Sequence, residues 1–158
     1  ILFLMKPLTN KEKKLLLKTL LENYNIDLSK FIMDNTIILD EKEKVYFLNN
    51  VPIAFLYENR IFPTLFTILQ LEPEMPYVIV DTGAKDRILN GADVFRPGIK
   101  EISENLKKDS PVLIISEDNK LIALGISLYD YKDILQMEKG KVIKNIHYYG
   151  DKIFKLKR

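Results

Sequence analysis

Near the start of the chain, Leu16, Leu17, Leu20, Leu21 and Tyr24 recur at helical spacing and define one apolar stripe. Thr9 stands three residues before Glu12, the spacing of a capping box in which each side chain satisfies the other's backbone N–H, so the pattern predicts a helix beginning after Thr9. The next apolar runs are short and rich in β-formers: Thr36 to Leu39, Val45 to Leu48 and Val51 to Tyr57. The charged break Asp40 to Lys44 and the pair Asn49-Asn50 separate them as hairpin turns would. A small antiparallel sheet covered by the helix is the simplest arrangement of this half.

Pro63 and the stretch Thr64 to Leu71 lead into Glu72-Pro73-Glu74-Met75-Pro76, where two closely spaced prolines interrupt any helix. A domain boundary is expected there, dividing the chain into 1–75 and 76–158. Beyond it, Tyr77 to Val80 reads as a strand and Thr82 to Asn90 as a short helix, with Gly91 suited to the left-handed residue that ends it. Val112 to Ser116 and Leu121 to Leu128 are two further strands joined through Glu117-Asp118-Asn119. A helical segment follows from Tyr131 to Met137, then a strand from Val142 to Tyr149, a Gly150-Asp151 turn and a last strand over Lys152 to Lys157. By alternation Phe154 and Leu156 of that last strand face the core, and Lys155 and Lys157 face outward. The fold class expected is α+β: an N-terminal α+β domain followed by a small, nearly closed β-barrel.

Composition narrows the functions open to such a chain. At 158 residues, 47% apolar and 29% charged, it has a globular rather than a disordered composition. No apolar run approaches the roughly 20 residues that cross a bilayer, and Ile1 to Met5 is too short for a signal-peptide core. Cysteine is absent, which excludes disulfides and thiolate metal sites and fits a cytoplasmic protein. With His147 the sole histidine, no metal and no cofactor are expected. The net charge of +2 says little, but Lys139 to Arg158 holds seven basic residues against Asp151 alone. Such a strip attracts phosphate, and equally it is a solvated lysine-rich end.

No GxSxG, Walker loop, HExxH or GxGxxG occurs, so the protein is not expected to be an enzyme. Asp130 and Asp133 read as solvated charge, and His147 has no nearby Ser or Asp to form a relay. The informative block runs from Asp81 to Ile99. Gly83, Gly91 and Pro97-Gly98 bend the backbone and expose donors, while Lys85, Arg87 and Arg96 add cations to the same short stretch. An ordinary strand–helix–strand with turn glycines has the same spacing.

This block, together with Leu124-Gly125-Ile126 and Asn145-Ile146-His147-Tyr148, resembles the PUA domain named after pseudouridine synthases and archaeosine transglycosylases. More closely, the chain is similar to the malignant-T-cell-amplified-sequence family and its archaeal relatives, in which a pre-PUA domain precedes the PUA domain. Phe62-Pro63-Thr64-Leu65 resembles that family's junction segment, whereas Arg96 stands where eukaryotic members carry Cys. The resemblance implies a non-catalytic RNA-binding protein of the translation apparatus, acting on tRNA or small-subunit ribosomal RNA in initiation, re-initiation or recycling. It implies as partners structured RNA, the small ribosomal subunit and a separate partner protein, with no membrane. The RNA-binding residues it implies are Lys85, Arg87, Asn90, Gly91, Ala92, Val94, Arg96, Pro97 and Gly98, with Tyr148, Lys152, Lys155 and Lys157 of the closing strands. Two alternatives stay open: the RNA-targeting subunit of a tRNA-modifying enzyme such as archaeosine transglycosylase, and a protein–protein adaptor.

Overall fold

The Thr9 capping box forms as the sequence predicts. In the computed structural model, which describes residues 4–32 and 34–156, Glu12 N–H donates to Thr9 Oγ1 at 3.1 Å and Thr9 N–H to Glu12 Oε1 at 3.0 Å. Strand β1 (Met5–Pro7) precedes this cap, and helix α1 (Asn10–Tyr24) follows it and ends at Asn25 in the left-handed conformation. A short α2 (Ser29–Ile32) then leads into an antiparallel meander of β2 (Ile37–Asp40), β3 (Val45–Leu48), β4 (Val51–Tyr57) and β5 (Arg60–Pro63), before α3 (Leu65–Leu71). The sheet order β1-β2-β3-β4-β5 is that of successive hairpins. Asn49-Asn50 and Glu58-Asn59 each place two consecutive residues at positive φ, which two-residue hairpins with a type I′ turn require. Aromatic rings fill this core. Phe62 is fully buried and lies 6.1 Å from Tyr24, 5.7 Å from Phe55 and 6.3 Å from Tyr57 between ring centroids. The Tyr24 hydroxyl donates to the Ile61 carbonyl at 2.5 Å, and burial holds its pKa above the usual phenol range.

The second sheet is built from β6 (Tyr77–Val80), β7 (Val94–Phe95), β8 (Ile99–Ile102), β9 (Pro111–Ser116), β10 (Leu121–Ser127) and β11 (Lys141–Tyr148) in the order β7-β11-β10-β9-β6-β8. Only β6 and β9 run parallel. Helix α4 (Thr82–Ile88) follows β6, and α5 (Tyr131–Gln136) connects β10 to β11. The two edge strands, β7 and β8, are joined by the 3-10 turn Arg96–Gly98. A flat sheet of this order would hold its edges about 24 Å apart at ~4.8 Å per strand. Three residues reach about 10 Å. The sheet therefore has to curl until its edges meet at that turn, and the result is the nearly closed barrel expected from the sequence. Its core is aliphatic, centred on Val78, Val80, Ile88, Val112, Ile114 and Ile143. Gly125 sits at a β-bulge where a Cβ would lie 2.5 Å from Ile143 Cγ2 and 2.7 Å from the Lys144 carbonyl oxygen, so β10 and β11 cross there only because the side chain is missing.

The end of the chain differs from expectation. Lys152–Lys155 is a helix, α6, and not a strand. The contacts divide the chain into one compact unit that runs to Glu74 and takes up the segment from Lys152, and a second unit, Met75–Asp151. The Phe154 ring packs tilted by 39° against Phe66 of α3 with centroids 4.4 Å apart, and Lys152 Nζ lies 2.5 Å from Glu43 Oε2. The reason is local. Gly150 at φ +86° turns the chain off the strand after Tyr149, whose N–H still donates to the Ile122 carbonyl at 2.8 Å. The buried Asp151 carboxylate accepts from the Tyr148 backbone N–H at 2.9 Å and lies 2.7 Å from His147 Nδ1, so this histidine does have an aspartate beside it, contrary to the sequence reading. Alternation of Phe154 and Leu156 with lysines also suits one turn of an amphipathic helix, and four residues do not separate the two periods. Lys157 lies outside the described residues. Among those described, no helix is long and apolar enough to cross a membrane.

Candidate nucleic-acid interface

The start of α4 is occupied by the protein's own carboxylates. Asp81 Oδ1 accepts from Ala84 N–H at 2.8 Å, and Glu117 Oε2, from the β9–β10 hairpin, accepts from Thr82 N–H at 2.9 Å. Hydrogen bonds from Lys100 and from the Thr82 backbone hold the Glu117 carboxyl below the usual range. Asp118 is held low by Ser116 and then by Lys85, whose Nζ lies 3.1 Å away. The backbone donors of the bend, and the Lys85 ammonium beside them, are thus already engaged.

What lies open is the turn after α4. Gly91 adopts φ +94°, a conformation costly to any side chain, and its Cα packs on the Tyr148 ring, whose Cε1 is 3.4 Å from where a Cβ would stand. Asn145 of β11 clamps the turn from behind. Its Nδ2 donates to the Ile88 carbonyl at 3.1 Å and the Ala92 carbonyl at 3.0 Å, while its backbone N–H donates to Asp93 Oδ1 at 2.9 Å. Asp93 Oδ2 pairs in turn with Lys141 at 3.3 Å. On the outer side of the turn is an open, shallow depression of 520 Å³ lined by Asp86, Arg87, Asn90, Gly91 and Ala92. Arg87 is exposed and makes no ion pair among the described residues.

The residues implied by resemblance scatter on this frame. Arg87, Asn90, Gly91 and Ala92 meet in the depression. Tyr148 supports it from below, and Pro97 is exposed on the 3-10 turn. Val94 and Gly98 are buried, so neither presents a side chain to a ligand. Arg96 turns inward, with Nε donating to the Ile134 carbonyl at 2.8 Å, and thereby ties the edge-closing turn to α5. Lys152 and Lys155 lie on α6 with the first unit rather than on a closing strand of the barrel. Sequence reasoning counted Lys141 and Lys144 only as part of the basic strip from Lys139 to Arg158, and it did not single out Asp93 or Phe95. Asn145, quoted only as part of a motif, holds the turn in place. Periodicity carries no trace of these roles, because a clamp acts across strands far apart in the chain. Among the described residues, no group of three or more His, Cys, Asp or Glu side chains is placed to hold a metal ion.

Comparison with known proteins agrees with this architecture. Residues 76–149 match the PUA domain, and residues 7–71 match the Domain of unknown function (DUF1947). An uncharacterized protein of Methanocaldococcus jannaschii is 42% identical over 125 residues, which are 78% of this chain and 72% of that protein. Translation machinery-associated protein 20 of Schizosaccharomyces pombe is 29% identical over 70% of this chain and 65% of its own length. The crystal structure of a hypothetical protein from Pyrococcus horikoshii superimposes with a TM-score of 0.79 at 28% identity, covering 98% of this chain and 99% of that one. An α+β domain followed by a PUA barrel defines a class of two-part PUA proteins. Within it, the chain belongs to the malignant-T-cell-amplified-sequence family, which also takes in the translation machinery-associated proteins.

Proposed function

We propose that this protein binds structured RNA, tRNA or small-subunit ribosomal RNA, as a non-catalytic component of the translation apparatus in the cytoplasm. The observation that carries the reading is the open depression at Arg87 to Ala92: a guanidinium with no ion pair among the described residues, beside exposed backbone and an amide side chain, held rigid by Asn145 and Tyr148. Backbone and a planar cation suit phosphate and sugar, and Asn90 suits a base edge or a 2′-hydroxyl. Lys141 and Lys144, exposed on β11, extend the same positive strip. The name of the fission-yeast relative supports a place in translation. Lys85 and Pro97 flank the bound RNA in this reading, and Lys152, Lys155 and Lys157 form a second contact of their own. A small ribosomal subunit and a separate protein are the proposed larger partners.

Affinity for tRNA and for a small-subunit ribosomal RNA fragment, measured over a salt series, tests this directly. With Arg87, Lys141 and Lys144 on phosphates, the log–log salt slope on single strands should be about −2. Arg87→Glu should lower affinity at every salt concentration and flatten the slope, Lys155→Glu should do so less, and the RNA should be recovered unchanged. An affinity independent of salt, or equal in wild type and Arg87→Glu, would sink the proposal.

A further inference from the structure

Among the described residues, the buried phenylalanine and tyrosine rings belong to the first unit: Tyr24, Tyr46, Phe47, Phe55 and Phe62, whereas the second unit buries the imidazole of His147. The buried cluster at the centre of the barrel is made of Val, Ile, Leu and Ala, with Tyr131, Met137 and Tyr148 packed partly buried against it. Its one phenylalanine nevertheless stands outside: Phe95 of β7 is 51% exposed. Burying such a ring gains well over 1 kcal/mol, so an outward ring on a barrel edge needs a reason beyond packing.

Its surroundings supply one. Phe95 stands directly opposite Lys141 in the β7–β11 ladder, and directly opposed residues share a face. Asp93, two residues earlier on that face, pairs with Lys141 and receives the Asn145 N–H, so ring, cation and the clamped Arg87–Ala92 turn are parts of one rigid surface. Lys144, exposed three residues along β11, makes no ion pair among the described residues. An open aromatic face with one cation directly across from it and a second further along the same strand, beside a groove whose arginine makes no ion pair among the described residues, is the arrangement by which proteins hold unpaired nucleotides: the base stacks and the flanking phosphates meet the cations. We propose that Phe95 is a stacking platform for one unpaired base, with Lys141 and Lys144 on the adjoining phosphates, so that the RNA bound at the Arg87–Ala92 depression is recognised through a single-stranded stretch. This rests on the RNA-binding reading and adds to it the kind of RNA segment that is read and the residue that selects it.

The test compares the whole protein with Phe95→Ala, Phe95→Leu and Phe95→Trp, using a labelled single-stranded decaribonucleotide and the same sequence as a duplex. Phe95→Ala and Phe95→Leu should each weaken single-strand binding about tenfold and leave duplex binding unchanged, whereas Phe95→Trp should keep wild-type affinity. Because the sequence contains no tryptophan, the Trp introduced at position 95 is the sole indole and can be excited apart from the tyrosines at the red edge of its absorption, and its emission should be quenched when a base stacks on it. Equal single-strand affinity of wild type and Phe95→Ala would overturn the proposal. So would rescue by Leu as complete as by Trp, an equal loss on the duplex, or a loss confined to binding of a protein partner. A wild-type protein that bound neither RNA would instead overturn the RNA reading itself, and this proposal with it.

Discussion

The two units handle aromatic residues in opposite ways. In the first, rings from α1, β4 and β5 converge on Phe62 and make up the centre of the core. In the second, a barrel of similar size closes on aliphatic side chains, with Phe95 and Tyr149 among its exposed large hydrophobics. A five-stranded meander covered by helices has a wide interior that large rings fill. A barrel whose edges meet through a three-residue turn is narrow, and tightness comes from small residues at strand crossings. Exposed rings on the second unit are therefore not a failure of packing, and this makes the surface around Phe95 more informative than any single exposed side chain on the first.

The sharpest way to break this comparison is Phe62→Ala, which should cost about 3–5 kcal/mol and speed amide exchange in β4 and β5 while leaving β9 and β10 protected; Phe95→Ala should stay within about 0.5 kcal/mol of wild type. If both substitutions cost the same, the distinction between inward and outward rings is wrong. Gly125→Ala should come next, at about 1–3 kcal/mol for overpacking, with faster exchange in β10 and β11 and no change in the first sheet. A stable Gly125→Ala protein would mean that β10 and β11 separate more easily than a narrow barrel allows. The smallest effect concerns the Glu117 cap on α4. A carboxyl held below its usual pKa adds stability above the unfolded value near 4.3, and that stability disappears as pH falls through the folded value. The melting temperatures of wild type and Glu117→Gln should therefore differ at pH 7 and converge in acid, once the Glu117 carboxyl is protonated in the folded protein as well. A gap that persists in acid would show that the cap does not depend on the charge.

Local signals were legible in the sequence wherever the cause lay within a few residues. The Thr9–Glu12 box, the Asn49-Asn50 hairpin and the helix after Asp81 all read correctly, because each is decided by neighbours. β5 was missed since Arg60–Pro63 is too short to show a period, and β8 because the alternation of Ile99–Ile102 is interrupted by the turn ahead of it. The segment after Asp151 was misread for a related reason: apolar and basic residues alternate over too few positions to tell helix from strand. In the site, motif letters proved to be mostly braces. Gly91, Asn145, His147 and Tyr148 hold the turn and the end of β11 in place. The side chains offered outward, Arg87, Phe95 and Lys144, lie at positions that no motif fixes.

The return of the segment from Lys152 to the first unit has a consequence in time. Glu43 and Phe66 are synthesised early, yet their partners Lys152 and Phe154 emerge only after the whole of Met75–Asp151 has been made. At about 5–20 residues per second that wait is roughly 4–15 s, long compared with the ~10 μs or less in which a hairpin forms. On the ribosome, then, the first unit passes through an interval in which its sheet has had time to form while one patch on α3 stays uncovered. The barrel is complete before the unit that precedes it, and helix α6 works as a latch that closes only after the barrel has been made.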